Sequence, residues 1–304
     1  MKSIFQKKRF YIFLAFFGFI TYAYRILELR MDENQYQKVI PKHIVYPLNA
    51  VNYEADGKQM RYIEIGNPDL PMVLLIHGAP SSSLSWQSLL GDSSVLSKAY
   101  LVAVDRPGYG YSSFGEVETS VITQAEKIIP ILEKKRQQHD KILVLGSSYG
   151  GPVAVAIAGM RPDLVDAVML QSSSMEPGAE KIYPISYPTS HPSIKWMVPT
   201  VFRNANTEKL THRAALEELL PYWKNIIDPV VIFHGMADDL IYFSNAQFAQ
   251  KQLVNAPFVD LKAQEDKGHG MLWSDYDLVR STIKETVSKM ASGVWQQELT
   301  EKAE

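Results

Sequence analysis

From about residue 50 the chain reads as short apolar runs alternating with stretches of helical spacing. Val51–Glu54 and Met60–Ile65 flank Asp56-Gly57, a dipeptide suited to the positive φ of a two-residue turn, and predict a hairpin. Six more runs follow: Met72–Ile76, Tyr100–Val104, Lys141–Leu145, Ala167–Gln171, Val230–Phe233 and Phe258–Leu261. They are almost continuously apolar, as expected of strands covered on both faces in a parallel sheet. Between them lie helical stretches at Thr119–Gln138, with Pro130 expected to kink it, at Tyr149–Gly159 and at Tyr276–Met290. This alternation predicts an α/β fold built on a doubly wound, mostly parallel eight-stranded sheet.

One stretch breaks the rhythm. Residues 175–228 separate two predicted strands, carry Pro177, Pro184, Pro188, Pro192 and Pro199, and turn helical from Thr211 to Trp223. A connection this long is uncommon inside a compact domain, and it predicts an inserted helical lid over one end of the sheet. Its aromatics Tyr183, Tyr187, Trp196, Phe202, Tyr222 and Trp223 are expected mainly to pack the lid onto the core. The folded domain is expected over residues 45–292, with 293–304 a polar tail.

The first 30 residues form a separate module. Lys2, Lys7, Lys8 and Arg9 precede a charge-free run, Phe10–Tyr24, which Arg25 ends. Fifteen helical residues span only about 22 Å of a hydrocarbon core about 30 Å thick, so snorkelling of Arg25 would be needed to cross it. The segment is read as a single membrane-anchoring helix. A signal peptide cleaved near Ala23, giving a secreted protein, is the alternative, and a buried helix of the folded domain is the third reading. The basic flank orients the segment with its N-terminus in the cytoplasm, leaving the rest of the chain outside.

Composition narrows the chemistry. The 304 residues are 46% hydrophobic and 21% charged, enough for a sizeable core. Formal net charge is −2 and no basic stripe appears, so nucleic acid is not an expected partner. With no cysteine, disulfides, thiolate metal sites and cysteine nucleophiles are excluded.

The run Lys141–Leu145 leads into Gly146-Ser147-Ser148-Tyr149-Gly150-Gly151 and then a small-residue helix, which is the setting that G-x-S-x-G requires. A nucleophile on so tight a strand-to-helix turn leaves no room for side chains two positions away. That makes Ser148 the candidate nucleophile. Ser147 is excluded because its frame would need glycine at Leu145 and Tyr149. The backbone N–H of Tyr149 is one candidate oxyanion donor, and that of Ala79, in His77-Gly78-Ala79-Pro80 after the strand Met72–Ile76, is the second. In this arrangement the acid and then the histidine follow the serine along the chain. Of seven histidines, His43, His77 and His139 precede Ser148, His191 and His212 lie in the predicted lid, and His234 precedes any suitable acid. That leaves His269, between Gly268 and Gly270, as general base. The acid follows the strand Val230–Phe233 and is Asp238 or Asp239. His234 itself is read as structural, and so is the turn Asp105–Ser112.

These motifs, in this order, resemble the α/β-hydrolase superfamily in its lid-bearing members, over roughly residues 50–290. HGAP looks like the family's oxyanion strand end, DRPGYGYS like its D-x-x-G-x-G-x-S turn, GSSYGG like its nucleophile elbow, and HGMADDLI like its H-G-x-x-D-x-x-V acid loop. The last match assigns the acid to Asp238. The resemblance implies a serine hydrolase acting on an ester or related acyl bond of a small molecule, with no metal or organic cofactor. Ser148 stands where haloalkane dehalogenases and epoxide hydrolases carry aspartate, which argues against those chemistries, and HGAP and GSSYG fit proline iminopeptidases poorly. A carbon–carbon bond hydrolase or thioesterase would use the same triad, and a non-catalytic binding protein of the same fold is the alternative from another class.

Overall fold

The structure is a computed structural model that describes Tyr24 and residues 26–295. The predicted membrane-anchoring run, Phe10–Tyr24, therefore lies almost wholly outside the described residues, among which no helix is long and apolar enough to cross a membrane. One sheet organises the rest. Its strands are β1 (Asn49–Ala55), β2 (Lys58–Ile65), β3 (Met72–Ile76), β4 (Tyr100–Asp105), β5 (Ile142–Ser147), β6 (Ala167–Gln171), β7 (Val230–Gly235) and β8 (Val259–Gln264). They lie in the order β1-β2-β4-β3-β5-β6-β7-β8. β1 and β2 close a two-residue hairpin, with Ala55 opposite Lys58 and positive φ at both Asp56 and Gly57. β2 runs antiparallel to β4, and every later pairing is parallel.

The apolar runs are buried on both faces because helices cover both. Along β3, Met72, Leu74 and Ile76 face one core with α2 (Val121–Arg136) and α3 (Gly150–Met160). Val73 and Leu75 face the other, with Trp86 and with α6 (Tyr276–Ser292). β3 has β4 on one side and β5 on the other, so connections leave its end in opposite directions and open a crevice there, the usual ligand position in such sheets. The carboxyl ends of β3, β5 and β7 meet at this edge.

The structure adds to the expected elements. Pro130 sits inside α2, which continues to Arg136. The helix of the β6–β7 insertion, α4 (Thr200–Leu219), begins directly after Pro199, eleven residues before the expected Thr211. Proline ends one segment and pre-sets the start of the next, while Thr and Asn in the first turns obscure the helical pattern. Finally, packing extends past both ends of residues 45–292. α1 (Glu33–Val39), with a capping box between Asp32 and Gln35, buries Tyr36 completely, and the Tyr36 hydroxyl lies 2.9 Å from Ser83 Oγ. At the far end, Trp295 is buried against Phe258. A lone buried tyrosine in ENQYQKV leaves too little periodicity to reveal that helix. α5 (Ser244–Gln252) completes the layer beside β7 and β8.

Because Tyr36 is core, Tyr36→Ala should destabilise the domain by about 3–5 kcal/mol. Urea unfolding should show a lower midpoint at unchanged slope. An unchanged midpoint would mean that residues 33–39 are a loose leader.

Candidate active site

The sharp turn after β5 is set by steric exclusion. A Cβ on Gly146 would lie 2.4 Å from the Gly150 carbonyl oxygen, and one on Gly150 would lie 2.2 Å from that of Ile76. Only a chain with glycine at both positions can pass so close. Between them Ser148 adopts φ +52°, a region that non-glycine residues rarely occupy and that costs on the order of 1–3 kcal/mol. Hydrogen bonds hold it there: the Ser148 N–H donates to the Gln171 carbonyl at 3.0 Å, and the Ser148 carbonyl accepts from Gly151 at 3.1 Å and Ser174 at 3.2 Å. Ser147 turns away and donates to Gln171 Oε1.

The end of β3 abuts this turn. A Cβ on Gly78 would come within 2.8 Å of Ser148 Cβ. His77 fixes the loop: its Nε2 accepts the Arg106 backbone N–H at 3.0 Å, so its Nδ1 carries the proton and donates to the Gly78 carbonyl at 2.7 Å. Complete burial, with Arg106 beside it, holds the ring well below the ordinary histidine range, hence neutral.

The third strand end brings Asp238 and His269 together. His269 Nδ1 lies 2.8 Å from Asp238 Oδ2, while Asp238 Oδ1 accepts the N–H groups of Leu240 at 3.0 Å and Ile241 at 2.8 Å. Burial pushes the Asp238 carboxyl up, but the His269 bond and these N–H groups outweigh it and hold the acid below the usual carboxylate range. Since a carboxylate only accepts, His269 Nδ1 donates and its Nε2 is left with a free lone pair. His234 Nε2 stands 3.5 Å from Asp238 and donates to the Ile241 carbonyl at 2.9 Å, bracing the same loop. Asp239 is exposed beside Lys181 and makes no contact with His269.

Ser148 sits where two cavities meet. One of about 190 Å³ is shared by Ser148, His269, Gly78, Ala79 and Trp273. The other, about 320 Å³, lies beneath the insertion and is walled by Ala79, Tyr149, Tyr183, Phe202, Lys209 and His212 among others. Ser148 and Ala79 line both cavities, Tyr149 the larger and His269 the smaller, with Asp238 bonded to His269. Among the described residues no group of three His, Asp or Glu side chains could hold a metal ion. The insertion's aromatics divide differently from expectation: Tyr183 and Phe202 line the larger cavity, Trp223 alone is fully buried, and Tyr187 and Trp196 face outward.

The sequence reading assigned no site role to Arg106 and did not single out Glu208. Both side chains are fully buried, and Arg106 Nη1 lies 2.7 Å from Glu208 Oε1. Arg106 also donates to the carbonyls of His77 at 2.9 Å and Gly78 at 3.3 Å and to Gln124 at 2.8 Å, while the Tyr109 hydroxyl donates to Glu208 at 2.7 Å. Asn204, bonded to the Gly108 carbonyl at 2.8 Å, and His212, 2.9 Å from Ser174 Oγ, lie one turn to either side of Glu208 on α4. The turn Asp105–Ser112 is therefore the structural element it was taken for, and it carries the anchor of the insertion.

Comparison with known proteins identifies the family. The profile of the alpha/beta hydrolase family matches residues 73–282, and the chain belongs to that family. It is 28% identical over 109 residues to a haloalkane dehalogenase of Bradyrhizobium diazoefficiens, covering 36% of this chain and 34% of that one. It is 31% identical over 104 residues to an esterase of Mycobacterium tuberculosis, covering 33% and 32%. The chain thus spans about a third of the length of these curated relatives. An esterase structure from Rhodococcus superposes with a TM-score of 0.61 at 20% identity, covering 80% of this chain and 99% of that one, which shows the shared fold.

Two outcomes follow from the buried charges. Glu208→Ala strands the Arg106 guanidinium without its counter-ion and should cost about 3–5 kcal/mol in urea unfolding. The neutral histidines act through pH. Burial, then Arg106, pushes His212 down to about 3 from 6.5, so the unfolded chain binds a proton that the folded chain refuses. Stability is full above pH 6.5 and is lost as pH falls below it, by up to about 1.4 kcal/mol per pH unit for each such histidine. His212→Asn should reduce the slope of stability against pH between roughly 6 and 5 by close to one proton. An unchanged slope would mean that His212 takes up its proton in the folded state.

Proposed function

We propose that the protein hydrolyses carboxylic esters of small molecules through an acyl-enzyme on Ser148. The observation that carries this reading is buried Asp238 bound to His269 Nδ1 at 2.8 Å, in a site where His269 shares a cavity with Ser148. Ser148 Oγ attacks the ester carbonyl as its proton passes to His269 Nε2, and Asp238 stabilises the resulting imidazolium. The backbone N–H groups of Ala79 and Tyr149 receive the negative charge that develops on the carbonyl oxygen. Collapse expels the alcohol, which takes the proton from His269. Water then adds to the acyl carbon, passes its proton to His269, and the acid leaves as Ser148 is restored. The two cavities flanking Ser148 suit the two halves of an ester, and the larger accepts the more apolar half. The β6–β7 insertion is the lid over that half. Serine at the elbow favours this chemistry over that of the dehalogenase relative, which the family resemblance associates with aspartate there. The run Phe10–Tyr24 holds the domain at a membrane with Lys2–Arg9 on the cytoplasmic side.

A fluorophosphonate probe should label the wild type and Ser147→Ala, and Ser148→Ala should remain unlabelled while still folded. Asp238→Asn should reduce ester turnover by about 10⁴ through the wrong histidine tautomer, and Asp239→Asn should leave it within a few-fold. Labelling of Ser148→Ala, or the reverse ranking of the aspartates, would overturn the assignment. Carbonate-washed membranes should retain the full-length chain. A soluble mature chain starting near Tyr24 would instead mark a cleaved signal.

A further inference from the structure

The insertion presents an apolar face to the outside. Between residues 182 and 202, Ile185 is 65% exposed, Tyr187 62%, Trp196 68% and Met197 63%, with Ile194 and Phe202 about 40%. A water-soluble domain rarely gathers so many large apolar side chains on one short segment without something to cover them. The chain itself indicates the cover. Tyr24 ends the charge-free run Phe10–Tyr24, and its hydroxyl donates to the Val198 carbonyl at 3.2 Å, one residue beyond Met197. The last residue of that run in the sequence therefore touches the domain at this segment. A bilayer that holds the run lies within a few residues of Trp196. Tyr187 and Trp196 join an apolar ring to a polar edge, the pairing favoured at the boundary between headgroups and acyl chains. Phe202 belongs both to this face and to the wall of the cavity that ends on Ser148.

We propose that residues 182–202 form a lipid-docking face that rests in the leaflet next to the membrane run, and that the larger cavity fills from the bilayer with a lipid-soluble ester. The docking stands on exposure, on the position of Tyr24 and on the membrane anchoring proposed above; the identity of the substrate rests on the hydrolase reading above.

The full-length chain in vesicles of phosphatidylcholine with a minority of phosphatidylglycerol provides the test, with brominated phosphatidylcholine as quencher. Trp86, Trp223 and Trp295 are buried but Trp273 is 67% exposed, so the signal of Trp196 is read as the difference between the wild type and Trp196→Phe. It should be quenched by the brominated lipid and shielded from aqueous acrylamide. Full access to acrylamide would place the face in water and overturn the proposal. Shielding without lipid quenching would mean that protein covers it, either residues 1–23 or a second copy, and would overturn it equally. In the same vesicles, Trp196→Ser with Met197→Ser should lower hydrolysis of an embedded long-chain p-nitrophenyl ester by about tenfold, as expected for large apolar side chains removed from a lipid surface, with soluble p-nitrophenyl acetate unaffected. Equal rates on both esters would refute the docking face and leave the hydrolase reading standing. Quenching without hydrolysis of either ester would refute the hydrolase reading and leave the docking face.

Discussion

The Arg106–Glu208 pair is the contact on which the arrangement of the site depends. Two opposite charges without solvent cost several kcal/mol each to bury, and the cost is offset only where geometry and hydrogen bonding are nearly complete. Here they are. The guanidinium reaches two carbonyls of the β3 loop, the Gln124 amide on α2 and both oxygens of Glu208, and its Cζ lies 4.8 Å from the centre of the Tyr109 ring and 4.6 Å from that of Tyr149. Tyr149 follows the nucleophile, and Gly78 precedes the proposed second oxyanion donor. One side chain thus touches both loops that flank the proposed oxyanion site and joins them to the insertion through Glu208.

Strain at Ser148 depends on the same rigidity. A positive φ at a non-glycine residue persists only where the surroundings over-determine it. The Gln171, Gly151 and Ser174 backbone bonds supply that restraint, and the ends of β5 and β6 that carry them are locked in parallel register. Sheet pairing is thereby converted into the exposure of one hydroxyl at a cavity. The acid loop after β7 is restrained by the same means, since Asp238 and His234 both bond to the backbone at Ile241.

Much of this was legible in the sequence, for identifiable reasons. β3 and β6 lie within the residues expected because an apolar run flanked by turn formers has no other stable placement. The elbow was legible because Gly146 and Gly150 answer a steric demand that no other residue meets. His269 was the candidate left by elimination, from chain order together with the predicted lid that set His191 and His212 aside. What stayed hidden depends on contacts distant in sequence. Glu208 lies 102 residues from Arg106, and in a sequence a glutamate on a polar helix reads as surface. α4 inverts the usual rule: Asn204, Glu208 and His212, four residues apart, form a polar stripe that faces the core. Hydrophobic periodicity registers apolar stripes, so it located the later turns of this helix, where Ala215, Leu216 and Leu219 are buried, and missed its start.

That inversion also explains how the insertion can have an apolar outside. Charge and hydrogen bonds hold α4 to the core, so its burial does not consume the apolar side chains of residues 182–202 as packing. Phe202, Ala205 and Lys209 meanwhile turn to the cavity. A lid fastened only by greasy contacts would present its polar side outward and close over the site as a core element. Fastened by Arg106, the insertion leaves those side chains exposed, and the larger cavity beside it combines Tyr183 and Phe202 with Lys181 and Lys209. Phe202 joins the two features: it lines the larger cavity and is partly exposed on the outer segment that Tyr24 touches at Val198.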